Sequence, residues 1–225
     1  MKKILKKFIL IIMISWTFCY SVSCTSLNEG ANLNDKEIQV SGNTSPEQLL
    51  VNEKNVLSKD YEPSNLTIPN IEFADGVSPE EKHIAGVIAK PLEELVRKAK
   101  DEGIILLGNS GYRSYKSQEK TLNNRVKEEG KKLAAAYVAK PGSSEHQTGL
   151  CIDMTNKDKY FVSGTKEAKW LAKNCYKFGF IIRYPAGKKN ITGIEYEPWH
   201  IRYVGKTAAK YIYDKRITLE EYLKK

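Results

Sequence analysis

A basic stretch, Lys2 to Lys7, runs directly into an apolar one, Phe8 to about Val22, and this pairing takes the head of the chain out of the fold. The apolar run, FILIIMISWTFCYSV, is too short and too interrupted by Ser15 and Thr17 for a bilayer span, and it reads as an export signal. From Thr25 to about Pro46 the chain is rich in Asn, Ser, Gly and acidic residues, with few large apolar side chains. Such a segment cannot bury enough surface to offset its chain entropy. The sequence therefore divides into 1–23 as a signal peptide, 24–47 as a flexible tether and 48–225 as one folded domain, long enough to bury a real core. Lys2, Lys3, Lys6 and Lys7 carry four of the nine net positive charges, leaving five on the remainder. That balance suits an anionic envelope or simply a solvated surface, and no nucleic-acid partner is expected.

The signal closes on Ser21-Val22-Ser23-Cys24, small residues before a cysteine, followed by a polar stretch. This resembles a bacterial lipoprotein signal, in which the cysteine is acylated and becomes the new N-terminus, although Ser21 stands where that pattern prefers an aliphatic residue. Lipidation at Cys24, plain cleavage and an uncleaved anchor remain three readings, and each places the domain outside the cytoplasm. Cys19 lies within the signal, so only Cys151 and Cys175 belong to the folded part. Export permits a disulfide between them, but two buried free thiols are the expectation.

Along the domain, order should begin near Leu49-Leu50-Val51, with Tyr61, Pro63, Leu66 and Pro69 in an extended lead-in. Ser78-Pro79-Glu80-Glu81 combines an N-cap Ser, a Pro at the first helical position and a Glu three residues after the cap, which predicts a helix start. Ile84, Val87, Ile88, Leu92, Leu95, Val96 and Ala99 follow at helical spacing, with Pro91 expected to kink or split the helix. Ile104 to Leu107 reads as a short buried strand, and a second helix is expected from near Ser117 through Val126. A third covers Lys166 to Phe178 and stops at Gly179, before a strand at Phe180 to Tyr184 and another at Glu197 to Val204. The tail closes with Thr207 to Tyr213 and a Thr218–Glu221 capping box. Helices and short strands intermix without regular βαβ alternation, which predicts an α+β fold with a small, mainly antiparallel central sheet and flanking helices.

There are three histidines. His83, on the first predicted helix, has no metal-type partner nearby in sequence. His146 sits in Ser144-Glu145-His146-Gln147-Thr148-Gly149, seven positions before Asp153. A turn at Gly149 leading into a strand through Leu150, Cys151 and Ile152 would let that His and Asp converge on one ion. The other cluster is Glu197-Pro198-Trp199-His200-Ile201-Arg202, where Glu197 and His200 are close enough to serve one centre in different roles. Two imidazoles and one carboxylate would leave a tetrahedral zinc with an open position for water, and a nearby carboxylate that is not a ligand could take that water's proton. Taken without context, buried, hydrogen-bonded polar residues are the readier account of these side chains, and Glu197 could equally be a surface carboxylate.

Three motifs in order weigh against that reading: SGYRS at 110–114, SEHQTG…D from Ser144 to Asp153, and EPWHIRYVG at 197–205. Together they resemble the VanY-type D-alanyl-D-alanine carboxypeptidases and their LD-carboxypeptidase relatives, a zinc peptidase family, over roughly Leu49 to Leu223. The resemblance implies a zinc cleft on a central antiparallel sheet, a fold shared with the Hedgehog signalling domain. It implies His146, Asp153 and His200 as zinc ligands and Glu197 as the base that later delivers a proton to the leaving amine. It implies Arg113 as the cation that polarises the scissile carbonyl, and Gln118 and Ser144, with Tyr184 as a weaker match, as substrate-binding residues. Trp199 and Tyr112 should wall the site. Cys151 stands where the family often has Ala, and a small core residue without nucleophilic function is expected there.

The implied function is zinc-dependent removal of the C-terminal D-alanine from peptidoglycan stem peptides, by a DD- or LD-carboxypeptidase that is monomeric, membrane-anchored and faces the wall. An endopeptidase using the same metal, a soluble dipeptidase of the vancomycin-resistance type and a non-catalytic zinc-containing wall-binding module are the competitors. The dipeptidase would need no export signal, and retention of Glu197 and Arg113 beside the ligands argues against the binding module.

Overall fold

The computed structural model describes residues 46–224, so the expected signal peptide, Cys24 and nearly all of the tether lie outside the described residues. Among the described residues, no helix is long and apolar enough to cross a membrane. The strands are β1 (Leu66–Thr67), β2 (Ile84–Ala85), β3 (Leu107–Ser110), β4 (Cys151–Thr155), β5 (Phe180–Ile182) and β6 (His200–Tyr203). The helices are α1 (Gly86–Asp101), α2 (Tyr115–Glu129), α3 (Lys131–Tyr137), α4 (Lys166–Asn174), α5 (Lys189–Thr192), α6 (Lys206–Lys215) and α7 (Leu219–Leu223). Four strands form one antiparallel sheet in the order β3-β4-β6-β5, while β1 and β2 pair separately. This is the expected α+β architecture with a small antiparallel sheet.

Strand alternation sorts the central sheet into two faces. Ile152 and Met154 of β4, Ile201 of β6 and Phe180 of β5 pack into the main core with Ile88, Leu92, Leu95 and Ala99 of α1 and Ala168 and Leu171 of α4. Full burial of each such aliphatic or aromatic side chain stabilises the fold by roughly 1.5–3 kcal/mol. The intervening residues, Cys151 and Asp153 on β4 and His200 and Arg202 on β6, point to the other face, where the ladder pairs Asp153 with His200 and Cys151 with Arg202. A smaller core beside them joins Ile181 and Val204 to Ala208, Ala209 and Ile212 of α6 and Leu219 and Leu223 of α7.

The first helix begins later than its capping signal predicts. Ser78 does cap: its hydroxyl donates to Glu81 Oε2 at 2.8 Å and accepts from the Glu81 amide at 3.3 Å. The cap serves only a 3-10 turn, Glu80–Lys82. The carbonyls of Glu81 and His83 are taken by the amides of Gly111 and Tyr112, and Ile84-Ala85 pair with Leu66-Thr67, so tertiary hydrogen bonds displace the helical ones. Pro91 does not split α1 into two elements; it lies in the second turn, where it removes one backbone donor and the helix continues. The strand expected at Ile104 starts at Leu107, because pairing with β4 sets its register. α3 was not foreseen, and α2 begins at Tyr115 with Ser114 as its cap. The third helix continues as a 3-10 turn, Cys175–Phe178, to the left-handed stop at Gly179, and the Thr218–Glu221 capping box is complete.

Candidate active site

The SEHQTG motif folds as a 3-10 turn, Glu145–Thr148, that ends in Gly149 at φ 66°. A side chain at Gly149 would put Cβ 2.8 Å from the Ala85 amide nitrogen, which itself donates to the Gly149 carbonyl, so only glycine fits. Thr148 holds the turn by donating to the Glu145 carbonyl at 2.6 Å and accepting from the Leu150 amide at 3.0 Å. The chain then enters β4, and Asp153 emerges on the same face as His200 of β6. The turn and the strand carry out the convergence expected of residues seven apart.

His146 Nε2 lies 3.5 Å from Asp153 Oδ2, and His200 Nδ1 lies 3.1 Å from Asp153 Oδ1. Around a tetrahedral zinc with bonds near 2.1 Å, donor atoms are separated by about 3.4 Å. The two imidazoles meet edge-on, with ring centroids 5.0 Å apart and planes at 84°. Asp153 Oδ1 is buried and without a hydrogen-bond partner in regular geometry, an orphaned acceptor of the kind a cation would satisfy. The residues present therefore fit a zinc ion.

The electrostatics agree. Burial, with Arg113 adding to it, pulls the pKa of His146 down to about 3 and keeps it a neutral donor. Burial opposes ionisation of Asp153, but His146, His200 and Arg113 hold it well below the usual carboxylate range. Burial also works against a charge on His200, yet Cys151, Asp153 and Glu145 draw its pKa well above the usual histidine range. An imidazole whose surroundings attract a proton that strongly sits in a pocket suited to a cation, and metal uptake there displaces the proton. His146 Nδ1 lies 2.7 Å from the Gly111 carbonyl oxygen, which can only accept; Nδ1 is thus the N–H and Nε2 is free to ligate.

Glu197 is placed by its amide, which donates to the Tyr184 carbonyl, and its Oε2 stands 3.7 Å from His200 Nδ1. Burial pushes its carboxyl up to about 8, with Asp153 and Glu145 adding to the rise and His200 and Arg113 opposing it. Arg113 is tied to the metal turn through its amide, which donates to the His146 carbonyl, while its buried Nε has no hydrogen-bond partner. Gln118, in the first turn of α2, donates to the Ala139 carbonyl at 2.8 Å and keeps a buried, unpartnered Oε1. Arg113, Gln118, Ser144 and Tyr184 line a single cleft with His146, Asp153, Glu197 and His200, and Trp199 forms part of its wall. Tyr112 is buried but does not line this cleft, so its expected role as a wall is corrected to packing.

Cys151 is the small buried residue expected. It is fully buried, and because the residue two before Asp153 shares that residue's face, it packs on the site side of β4 and not in the main cluster with Ile152 and Met154. Its sulfur lies within 4.8 Å of a nitrogen of His146 and one of His200. Burial raises its thiol pKa, which disfavours a thiolate nucleophile. Cys175 packs in the core, and both cysteines are free thiols as expected. His83 stays away from the site, with Nδ1 2.9 Å from the Pro79 carbonyl oxygen. The sequence reading missed Arg125, which lines the cleft from a position seven residues, or two turns, beyond Gln118 on α2; that spacing could have revealed it. It also missed Glu145, for which the adjacent His146 was the only signal.

A family model described as VanY, D-alanyl-D-alanine carboxypeptidase, matches residues 81–206. The chain is 46% identical over 187 residues to YodJ of Bacillus subtilis, which carries a carboxypeptidase name; the match covers 80% of this chain and 68% of that protein. It is 37% identical over 185 residues to a D-alanyl-D-alanine carboxypeptidase of Enterococcus faecalis, covering 78% of this chain and 65% of the relative. Among solved structures, the LdcB LD-carboxypeptidase superposes with a TM-score of 0.72 at 45% identity, over 80% of this chain and 87% of that one. A vancomycin-resistance D,D-pentapeptidase VanY in complex with Zn(II) superposes with a TM-score of 0.68 at 36% identity, over 80% and 99%.

Proposed function

The chain belongs to the VanY family of D-alanyl-D-alanine carboxypeptidases, and we propose that it hydrolyses the C-terminal peptide bond of peptidoglycan stem peptides and releases D-alanine. It is a zinc metallopeptidase. The observation that carries the reading is that Glu197 and Arg113 stand in one cleft with a complete donor set, His146, Asp153 and His200. A zinc-binding module without catalysis would need neither of the first two.

Zinc, when bound by His146, Asp153 and His200, supplies a Lewis acid that polarises the scissile carbonyl and acidifies water. Glu197 is not a ligand; it takes the proton of the attacking water and passes it to the leaving amine. A cation in the site and Arg113 both favour the charged form of Glu197 that the first transfer requires. Arg113 steadies the oxyanion with a charge that needs no reorganisation. Gln118 Oε1, buried and without a partner, and Ser144 hold the substrate's terminal residue.

The greater identity to LdcB, 45% against 36% for VanY, favours a second reading in which the bond cut is the LD bond of a tetrapeptide. The test is to incubate the full-length protein with a muramyl pentapeptide and a tetrapeptide, and to follow products by mass. Loss of one D-alanine from the pentapeptide means DD specificity, and loss from the tetrapeptide means LD. Cleavage of neither, with only cross-linked peptidoglycan cut, would replace the exopeptidase by an endopeptidase. Export and anchoring through a lipid on Cys24, with the monomeric domain facing the wall, complete the proposal; Cys24→Ser should release the protein from the membrane fraction.

A further inference from the structure

We infer that Glu145 is the positioning residue of the metal centre: its buried carboxylate holds His200 in the tautomer that turns Nδ1 toward the cation. The inference rests on the zinc reading of the site given above. A ligating imidazole needs its other nitrogen fixed, or the ring can rotate or carry its proton on the wrong atom. His146 has the Gly111 carbonyl for this purpose. His200 has no equivalent backbone acceptor; its Nε2 faces Glu145 Oε2 at 3.5 Å. Those two atoms are both buried, and neither has a hydrogen-bond partner in regular geometry. A donor and an acceptor, each without another partner, thus stand opposite one another.

The other oxygen of Glu145 explains why this one is left over. Oε1 accepts from Arg183 Nε at 2.7 Å and from Arg202 Nη1 at 2.6 Å. Arg183 is gripped in turn by both oxygens of Glu220 on α7, at 2.9 and 2.6 Å. Arg202 reaches the carbonyls of Glu47 and Leu49 through Nη2. All three of Glu145, Arg183 and Arg202 are fully buried. Two guanidinium groups on one carboxylate keep it an acceptor only, so Nε2 of His200 must be the donor and Nδ1 the bare nitrogen. A buried ion cluster of this kind is weak evidence of stabilisation in its own right. Its geometry instead clamps one carboxylate oxygen against a metal ligand, from a frame anchored at both ends of the described chain.

Glu145→Gln separates positioning from packing. The two arginines claim the amide oxygen, leaving the NH2 group opposite Nε2, where a donor faces a donor and the unwanted tautomer is favoured. Glu220→Gln removes one charge from the same cluster without touching His200. We would measure Zn(II) affinity of the full-length protein by competition with a chromophoric chelator, and thermal unfolding of the metal-free forms. Glu145→Gln is expected to weaken zinc binding about 10–100-fold, whereas Glu220→Gln lowers the unfolding temperature and leaves zinc affinity close to wild type. Equal losses of affinity in both variants, or none in Glu145→Gln, would overturn the assignment. Nitrogen NMR of the histidines in the unmodified, zinc-loaded protein tests it without relying on a variant that folds. His200 should be protonated at Nε2 and metallated at Nδ1, and a proton on Nδ1 refutes the inference. A wild-type protein that takes up no zinc would refute the metal reading first, before any variant is compared.

Discussion

Asp153 and His200 are direct partners across the β4–β6 ladder, and Oδ1 of the first lies 3.1 Å from Nδ1 of the second. Two of the three proposed metal donors are therefore held by the register of the central sheet, and a one-residue slip of either strand would turn its donor away from the cleft. The third, His146, hangs on a turn whose Gly149 carbonyl is bonded to Ala85, so its position depends on a separate contact. Two elements, a sheet ladder and a glycine-closed turn, thus bring the candidate donors to one cleft, with Arg113, Gln118, Ser144 and Glu197 around them.

Glu197→Gln keeps the shape of the side chain and removes its capacity to carry a proton. Peptidase kcat should fall by about 10²–10⁴-fold, while zinc affinity stays near wild type because Glu197 is not among the donors. Steady-state kinetics and zinc content of the purified variant check both parts.

Arg113→Ala removes a cation whose Nε is buried without a protein partner. The expected loss is about 10²–10³-fold in kcat, with zinc content retained. A variant that lost its zinc along with its activity would show instead that Arg113 serves the metal turn.

Gly111→Ala strikes at the residue whose carbonyl accepts from His146 Nδ1. A Cβ at that position would lie 2.3 Å from the His83 carbonyl oxygen and 2.9 Å from that of Glu81. Relieving the clash must displace backbone, so we expect a destabilisation of about 1–3 kcal/mol. Because the Gly111 carbonyl fixes the His146 tautomer, zinc affinity should fall as well. Thermal unfolding with and without zinc separates the two effects.

Cys151 and Cys175 should resist thiol reagents in the native protein and react only on denaturation. Both are buried and unbonded, and burial pushes the Cys175 thiol up to about 12. Peptide mass mapping after labelling, with and without denaturant, checks this, and non-reduced digests should contain no Cys151–Cys175 bridge.

Much of this protein was legible because the relevant rules act over a few residues. The Thr218 capping box, the Gly179 stop and the buried stripe of α1 from Ile88 to Ala99 each arise from contacts within a turn or two, and each formed as expected. The donor residues were legible by type and by motif, since a metal site requires imidazole and carboxylate whatever the fold around it. What could not be read depends on partners distant in sequence. Ser78 caps as it should, yet the helix fails to follow because the carbonyls of Glu81 and His83 are bonded to residues 111 and 112. Cys151 is buried as expected, but the face of the sheet it takes follows from Asp153 and from its ladder partner Arg202. Glu145 is adjacent to His146 in sequence, but its role comes from residues 183, 200 and 202. Residue types and motifs were enough to indicate which side chains could hold a cation and move a proton. The face each side chain takes and the nitrogen each imidazole leaves free came from the folded chain, because both depend on hydrogen bonds between strands and turns far apart in sequence.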